Sequence, residues 1–333
     1  MKSSNSDNLN LANVSRGRRV CQFALSWLLT IILFVVIVSR IKISEVLLGL
    51  SQADIQYVMA AVLFSLLAHL LFSSARYQEI AHAMGKQISF FEAVLIRMGC
   101  NPIKGIFPLK IGELAIVAYM KKKHHLSYPG GFFSIFVGYP FSLIVLLFFY
   151  AVGGMLYFPD IHQKVLFLFL CFAALMLALP SSLNQMTLLL IQWIGKFKNF
   201  PSEEKNFLEE MHRLEKTRNI MACSLGIEGF KLLIIYALLK SLGVNVSAAV
   251  LLLFGSLTIM AVYLPFTYWG LGVRESAVIF LFSGQAEPEK LFAAGLMTTF
   301  IDGILPVLLG LFFVQPFVRV MLGAGSGNSE TGA

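Results

Sequence analysis

The sequence predicts an all-α fold, a polytopic membrane helix bundle of about eight membrane segments. Two of these segments are broken, re-entrant hairpins related as inverted repeats. Three observations carry this expectation. Of 333 residues, 57% are hydrophobic and only 13% charged, more apolar surface than a soluble domain of this length needs. Several continuous apolar runs reach about 20 residues, enough to cross a bilayer as helix. Two apolar stretches are interrupted by Pro and Gly in the two halves of the chain, the sequence pointer to inverted repeats around a midplane site. The runs do not alternate, which argues against a β-barrel.

Along the chain, residues 1–19 read as a disordered, basic N-terminal tail. The run from 20 to 39 is the first membrane helix; Arg40 follows it where a cleaved leader has small residues. A second helix is expected over 54–76. Residues 88–120 are too polar and too broken for a simple span, and KKKHH (121–125) closes them. Helices over 128–151 and 164–180 follow, then an amphipathic stretch over 181–195 that suits the interface. The hydrophilic segment 196–218 is expected to be a solvated cytoplasmic loop. A helix over 218–240, a second broken region over 247–284 and a final helix over 290–318 complete the membrane domain, 20–318. Residues 319–333, ending GAGSGNSETGA, read as a disordered tail.

Charge sets the orientation. With both termini cytoplasmic, sixteen Lys and Arg fall inside, Arg76 among them, and five outside, while Arg97, Lys104, Lys110, Lys231 and Arg274 lie at membrane depth. This follows the positive-inside rule. It requires the first broken region to enter from and return to the cytoplasm, and the second to do the same from outside. The net charge of +8 is spread through short loops rather than gathered for nucleic acid. Cys21, Cys100, Cys171 and Cys223 show no CxxC and no His at metal spacing, so packing roles are expected.

The two interruptions read FPLKIGELAIVAYM (107–120) and LPFTYWGLGVRESAVIFL (264–281). Pro108 and Gly112 break the first; Pro265, Gly270 and Gly272 break the second. A broken helix leaves backbone N–H groups unpaired, each costing several kcal/mol in lipid, so they must face protein or a hydrated cavity. The returning half-helix presents a positive end that favours an anion. A loop at the membrane surface is the plainer reading of 263–276.

Ionisable residues at membrane depth are functional candidates by default. Arg274 is expected to meet a lipid phosphate or to form a structural salt bridge. Glu275 is expected to cap a half-helix or to pair with Lys110, and Glu113 to cap at the matching place in the first repeat. Asp302 requires a cavity or a partner such as Arg97 or Arg274. Lys104 and Lys110 flank the first break, where they attract a headgroup or snorkel, with snorkelling favoured for Lys104. Glu228 and Lys231 stand three apart and suit a private ion pair. His69, alone on an apolar helix, reads as a hydrogen-bonded core residue. His124 and Lys121–Lys123 read as a membrane anchor, not a metal site.

The pieces FPLK, IGELAIVAY and GLGVRESA, with LPVLLG in the final helix, resemble the lysylphosphatidylglycerol synthase transmembrane family, over roughly 20–318. The resemblance implies a flippase-like bundle that moves an anionic or modified lipid across the bilayer. That family commonly has an Arg in the helix matching 128–151, where this chain has no charge. It also commonly has an Arg where this chain has Thr299. The soluble aminoacyltransferase domain is expected to be absent, so lipid lysylation is not expected.

The expected function is therefore binding and translocation of an anionic phospholipid or lipid-linked headgroup, without covalent chemistry or cofactor, in the cytoplasmic membrane of a bacterial-type cell. A membrane transferase on a lipid-linked sugar is disfavoured by the lack of a DxD pair, HExxH, nucleotide loop or Ser-His-Asp set. An accessory subunit of glycolipid or polysaccharide assembly, docking through 196–218, stays open, as does a homo-oligomer.

Overall fold

The computed structural model describes residues 43–106, 111–157, 217–263 and 270–322. The expected helices over 20–39 and 164–180, the stretch 181–195 and nearly all of the loop 196–218 lie outside these residues, as do Pro108, Lys110 and Pro265. The described residues form helices and short connections. These are α1 (Ile43–Ser51), α2 (Ile55–Ala83), α3 (Phe90–Ile106), α4 (Leu114–His124), α5 (Tyr128–Phe136), α6 (Gly138–Tyr157), α7 (Thr217–Ser241), α8 (Ala248–Tyr263), α9 (Val273–Leu281) and α10 (Pro288–Met321).

Four segments are long and apolar enough to cross a membrane: Ile55–Ala83, Gly130–Tyr157, Arg218–Ser241 and Pro288–Met321. Their starts are written in short polar residues. The Asp54 carboxylate accepts from Gln56 N–H at 2.9 Å at the head of α2. Ser247 accepts from Val250 N–H at 3.3 Å at the head of α8. Exposed Met59, Leu63, Leu71, Phe280, Leu308 and Phe312 clothe the outside, where lipid chains would otherwise meet backbone polar groups. Helix α2 runs two turns beyond the expected end at residue 76. Its last turns are polar yet held by protein: Gln78 and His82 both bond Ile88 O, at 3.0 and 3.1 Å.

The first broken region is a helical hairpin. At its tip the chain returns so close to α3 that a Cβ on Gly112 would lie 2.6 Å from Lys104 Cα. Cys100 Sγ donates to Gly112 O at 3.4 Å beside it. At its base Glu92, opening α3, accepts from Tyr119 Oη at 3.1 Å, Lys123 Nζ at 3.1 Å and His124 Nε2 at 2.7 Å. The KKKHH segment is thus tied to the hairpin rather than serving only as an anchor. Glu92→Ala is expected to destabilise the purified chain by about 1–3 kcal/mol, since three donors lose a partly buried carboxylate. Unfolding in detergent reads this; a loss no larger than that of exposed Lys122→Ala would count against the clamp.

The second broken region pairs α8 with α9. A Cβ on Gly270 would meet the Val262 side chain at 2.7 Å near the tip, and Phe254 packs on Phe282 at the base, ring centroids 5.9 Å apart.

Helix α10 shows how the hairpins are oriented. Its first part packs on the second hairpin, where a Cβ on Gly295 would stand 3.0 Å from Glu275 Cα. Its last part packs on the first hairpin. A Cβ on Gly310 would overlap Met98 O and Pro102, and Phe317 stacks on Tyr119 at 5.2 Å. Small residues permit these close approaches. The second hairpin opens at the start of α10 and the first at its far end, so their tips point toward each other.

Two apolar clusters sit at the two ends. One gathers Tyr77, Ile96, Tyr119, Met120 and Phe317; the other gathers Leu146, Leu239, Val278, Phe282 and Leu291. A small third cluster around Ala61, Leu238 and Ile301 bridges α2, α7 and α10. Between them lies a polar layer.

Candidate functional site

The second hairpin supplies the most buried part of that layer. Gly270 and Gly272 have φ of 73° and 81°, a left-handed backbone that strains any residue with a Cβ. This turn launches α9 with Gly272 N–H pointing inward, and Glu275 Oε2 accepts it at 2.7 Å. Thr299 Oγ1 donates to the other carboxylate oxygen at 2.7 Å. Glu275 is fully buried, and of its two expected roles the structure shows the cap.

Arg274 is 8% exposed. Its Nη2 lies 3.4 Å from Asp302 Oδ2, while Nη1 is buried with no hydrogen-bond partner among the described residues. Asp302 also meets His69 Nε2 at 3.0 Å through Oδ1. Both His69 and Asp302 sit on π-helical turns, Leu67–Phe72 within α2 and Thr299–Ile304 within α10. Such wide turns recur at functional positions in helices because they re-aim side chains. Ser65 Oγ, just ahead of the first turn, donates to Ile301 O in the second at 2.7 Å.

The first hairpin brings Glu113, also buried. Its expected capping role is not seen among the described residues. Glu113 already has helical φ and ψ (−66°, −20°) and makes no side-chain cap bond; its carboxylate is turned to Tyr139, whose hydroxyl reaches both oxygens at 2.9 and 3.0 Å. Lys104 Nζ stands 3.9 Å from the same carboxylate. Lys104 therefore points inward instead of snorkelling, because the returning chain at Gly112 closes over it. The Tyr139 ring meets Tyr263 edge-on at 5.9 Å. Tyr263 Oη donates to Glu228 at 2.7 Å and accepts from Lys231 at 3.0 Å. Glu228 and Lys231 do pair, at 3.3 Å, although Tyr263 shares them.

Lys231 lies within electrostatic reach of Asp302 on one side and Lys104 on the other. Glu113 and Arg274, one from each hairpin, are thereby linked through Tyr139, Tyr263, Lys231 and Asp302. Arg97 is not the partner of Asp302; its Nε donates to Ser73 Oγ at 3.2 Å.

Sequence reasoning placed Arg76 at the cytoplasmic end of the second helix. Its guanidinium is instead inside, donating to Gly138 O at 3.3 Å, Ser142 Oγ at 2.8 Å and Ser224 Oγ at 3.2 Å. It brings a positive charge to the helix in which the resemblance leads one to expect an Arg. Tyr139 and Tyr263 were also missed; each is followed closely by a proline, Pro140 and Pro265, a signal of a hydroxyl near a helix break. Among the described residues no three His, Cys, Asp or Glu gather as a metal would need.

Fold and site together define a multi-pass helical membrane protein with a buried charged layer between two opposed helical hairpins. The family model for the lysylphosphatidylglycerol synthase TM region matches residues 22–310, and the chain belongs to that family. No curated protein matches it.

Proposed function

We propose that this protein is a flippase-like carrier that binds the headgroup of an anionic phospholipid, or of a lipid-linked saccharide, and passes it across the cytoplasmic membrane of a bacterial-type cell with both its termini inside. The observation that supports this best is the Arg274 guanidinium, 8% exposed with Nη1 lacking an acceptor among the described residues. A buried N–H without a partner costs about 1–3 kcal/mol, which a phosphate oxygen would offset. In this reading the hairpins shift against α10 and expose the layer to one leaflet at a time, with the π turns as the places that yield. The chemistry is positioning and charge, with no covalent step.

In proteoliposomes, wild type is expected to move fluorescent phosphatidylglycerol between leaflets, and Arg274→Ala to slow it by about tenfold or more while thermal unfolding stays cooperative. If wild type moves no anionic lipid and no lipid-linked saccharide, the carrier reading fails.

A further inference from the structure

Three cations crowd the first-hairpin side of the polar layer. Arg76 comes from α2; Arg97 and Lys104 come from α3, two turns apart on one face. All three sit within electrostatic reach of one another in sequence, Arg76 with Arg97 and Arg97 with Lys104. Among the described residues neither guanidinium has an ion pair. Arg76 gives its Nη1 to three neutral oxygens, and Arg97 gives only its Nε, to Ser73.

Counting the neighbours sharpens the point. The cations are Arg76, Arg97, Lys104 and Lys231; the carboxylates near them are Glu113 and Glu228, with Glu79 and Glu92 toward the end of the layer. Among the described residues neither Arg76 nor Arg97 has a carboxylate within ion-pair distance, whereas Lys104 and Lys231 do. Glu228 is already held by Lys231 and Tyr263, and Glu113 by Tyr139 and Lys104. On the second-hairpin side Arg274 does have a carboxylate partner, Asp302, while Glu275 is taken by Gly272 N–H and Thr299. Like charges at membrane depth repel strongly in a poor dielectric, and an anion between them removes that repulsion. The Arg97 terminal N–H groups, which meet no acceptor among the described residues, present the planar fork that phosphoryl oxygens accept in pairs.

We propose that Arg97, flanked by Arg76 and Lys104, forms a second anion site, separate from Arg274, that takes a phosphoryl group, either the phosphate of a lipid headgroup or free phosphate. The site requires binding only, so it stands whether or not the protein moves lipid.

The experiment uses the full chain carrying Arg274→Gln, so that what remains reports the second site. Dihexanoyl phosphatidylglycerol and inorganic phosphate are titrated in detergent and binding is read by phosphorus NMR. The site predicts retained binding of the short-chain lipid and a loss of about tenfold or more on adding Arg97→Gln. Lipid binding without phosphate binding assigns the site to a headgroup; binding of both assigns it to phosphoryl groups generally. Ser73→Asp gives Arg97 a built-in carboxylate without removing it, and should cause the same loss. That second variant decides the matter if Arg97→Gln does not fold. No binding of either probe, or an affinity untouched by the Arg97 and Ser73 substitutions, overturns the proposal.

Discussion

Asp302→Ala is expected to lower the stability of the purified chain by about 3 kcal/mol, the lower end of what breaking a buried ion pair costs. The lower end applies because Asp302 is 13% exposed and its contact with Arg274 is 3.4 Å. The loss has two parts. Arg274, already without a partner at Nη1, is left with no carboxylate among the described residues. His69 loses its acceptor at the same time, and the two π turns lose their side-chain tie. Asp302→Asn keeps a dipole for His69 but not the charge, and should cost about half as much. Arg274→Met with Asp302→Leu should recover most of the loss, since the expensive state is a lone buried charge and not the missing pair. Unfolding of the full chain in detergent measures all of these. An Asp302→Ala loss equal to that of exposed Lys290→Ala would mean the pair holds nothing.

Much of this arrangement was written in the sequence, because bilayer physics is unforgiving. A run such as GYPFSLIVLLFFYAVGGMLY over α6 has no other solvent in which to stand, and a run interrupted by Pro, Gly and charge together, as at 107–113 and 265–275, reads as a break. The Arg274–Asp302 and Glu228–Lys231 pairs were legible for the same reason: a charge at that depth needs a named neighbour. What sequence did not reveal depends on how the elements lie in space. Arg76 sits just before Gln78, Glu79 and His82, a composition that reads as the cytoplasmic end of a membrane helix. Only the packing of α2 against α3, α6 and α7 shows it to be interior. Tyr139 and Tyr263 look like interfacial aromatics until their hydroxyls are found on Glu113 and Glu228. The π turns at 67–72 and 299–304 have no composition of their own; they are one extra residue per turn, imposed by the neighbours. Glu113 closes the short 3-10 turn Ile111–Glu113 ahead of the returning helix, and its carboxylate turns to Tyr139 on a helix distant in sequence.

Gly112→Ala tests the hairpin tip, on which the placing of Lys104 and Glu113 depends. A Cβ there would lie 2.6 Å from Lys104 Cα, 2.7 Å from Lys104 N and 2.8 Å from Ile103 C. All three atoms are backbone, so no rotamer change relieves the overlap and the returning arm must move away from α3. Overpacking costs about 1–3 kcal/mol where side chains can yield; here the upper end, about 3 kcal/mol, is expected. Gly49→Ala is the contrast. It is helical, has nothing within 4 Å of the added Cβ, and should be neutral or gain up to about 1 kcal/mol from helix propensity. A local readout separates a displaced tip from general loosening. Cys100 is fully buried, with Sγ 3.4 Å from Gly112 O, so in a chain carrying Cys21→Ser, Cys171→Ser and Cys223→Ser it should resist a small thiol reagent. Gly112→Ala should speed its modification by about tenfold or more, as a cost of that size concentrated at the tip raises the open population. If Cys100 stays protected and stability is unchanged, the two backbones do not approach this closely. Lys104 and Glu113 would then be free to sit elsewhere, and the charge balance around Arg97 would have to be redrawn.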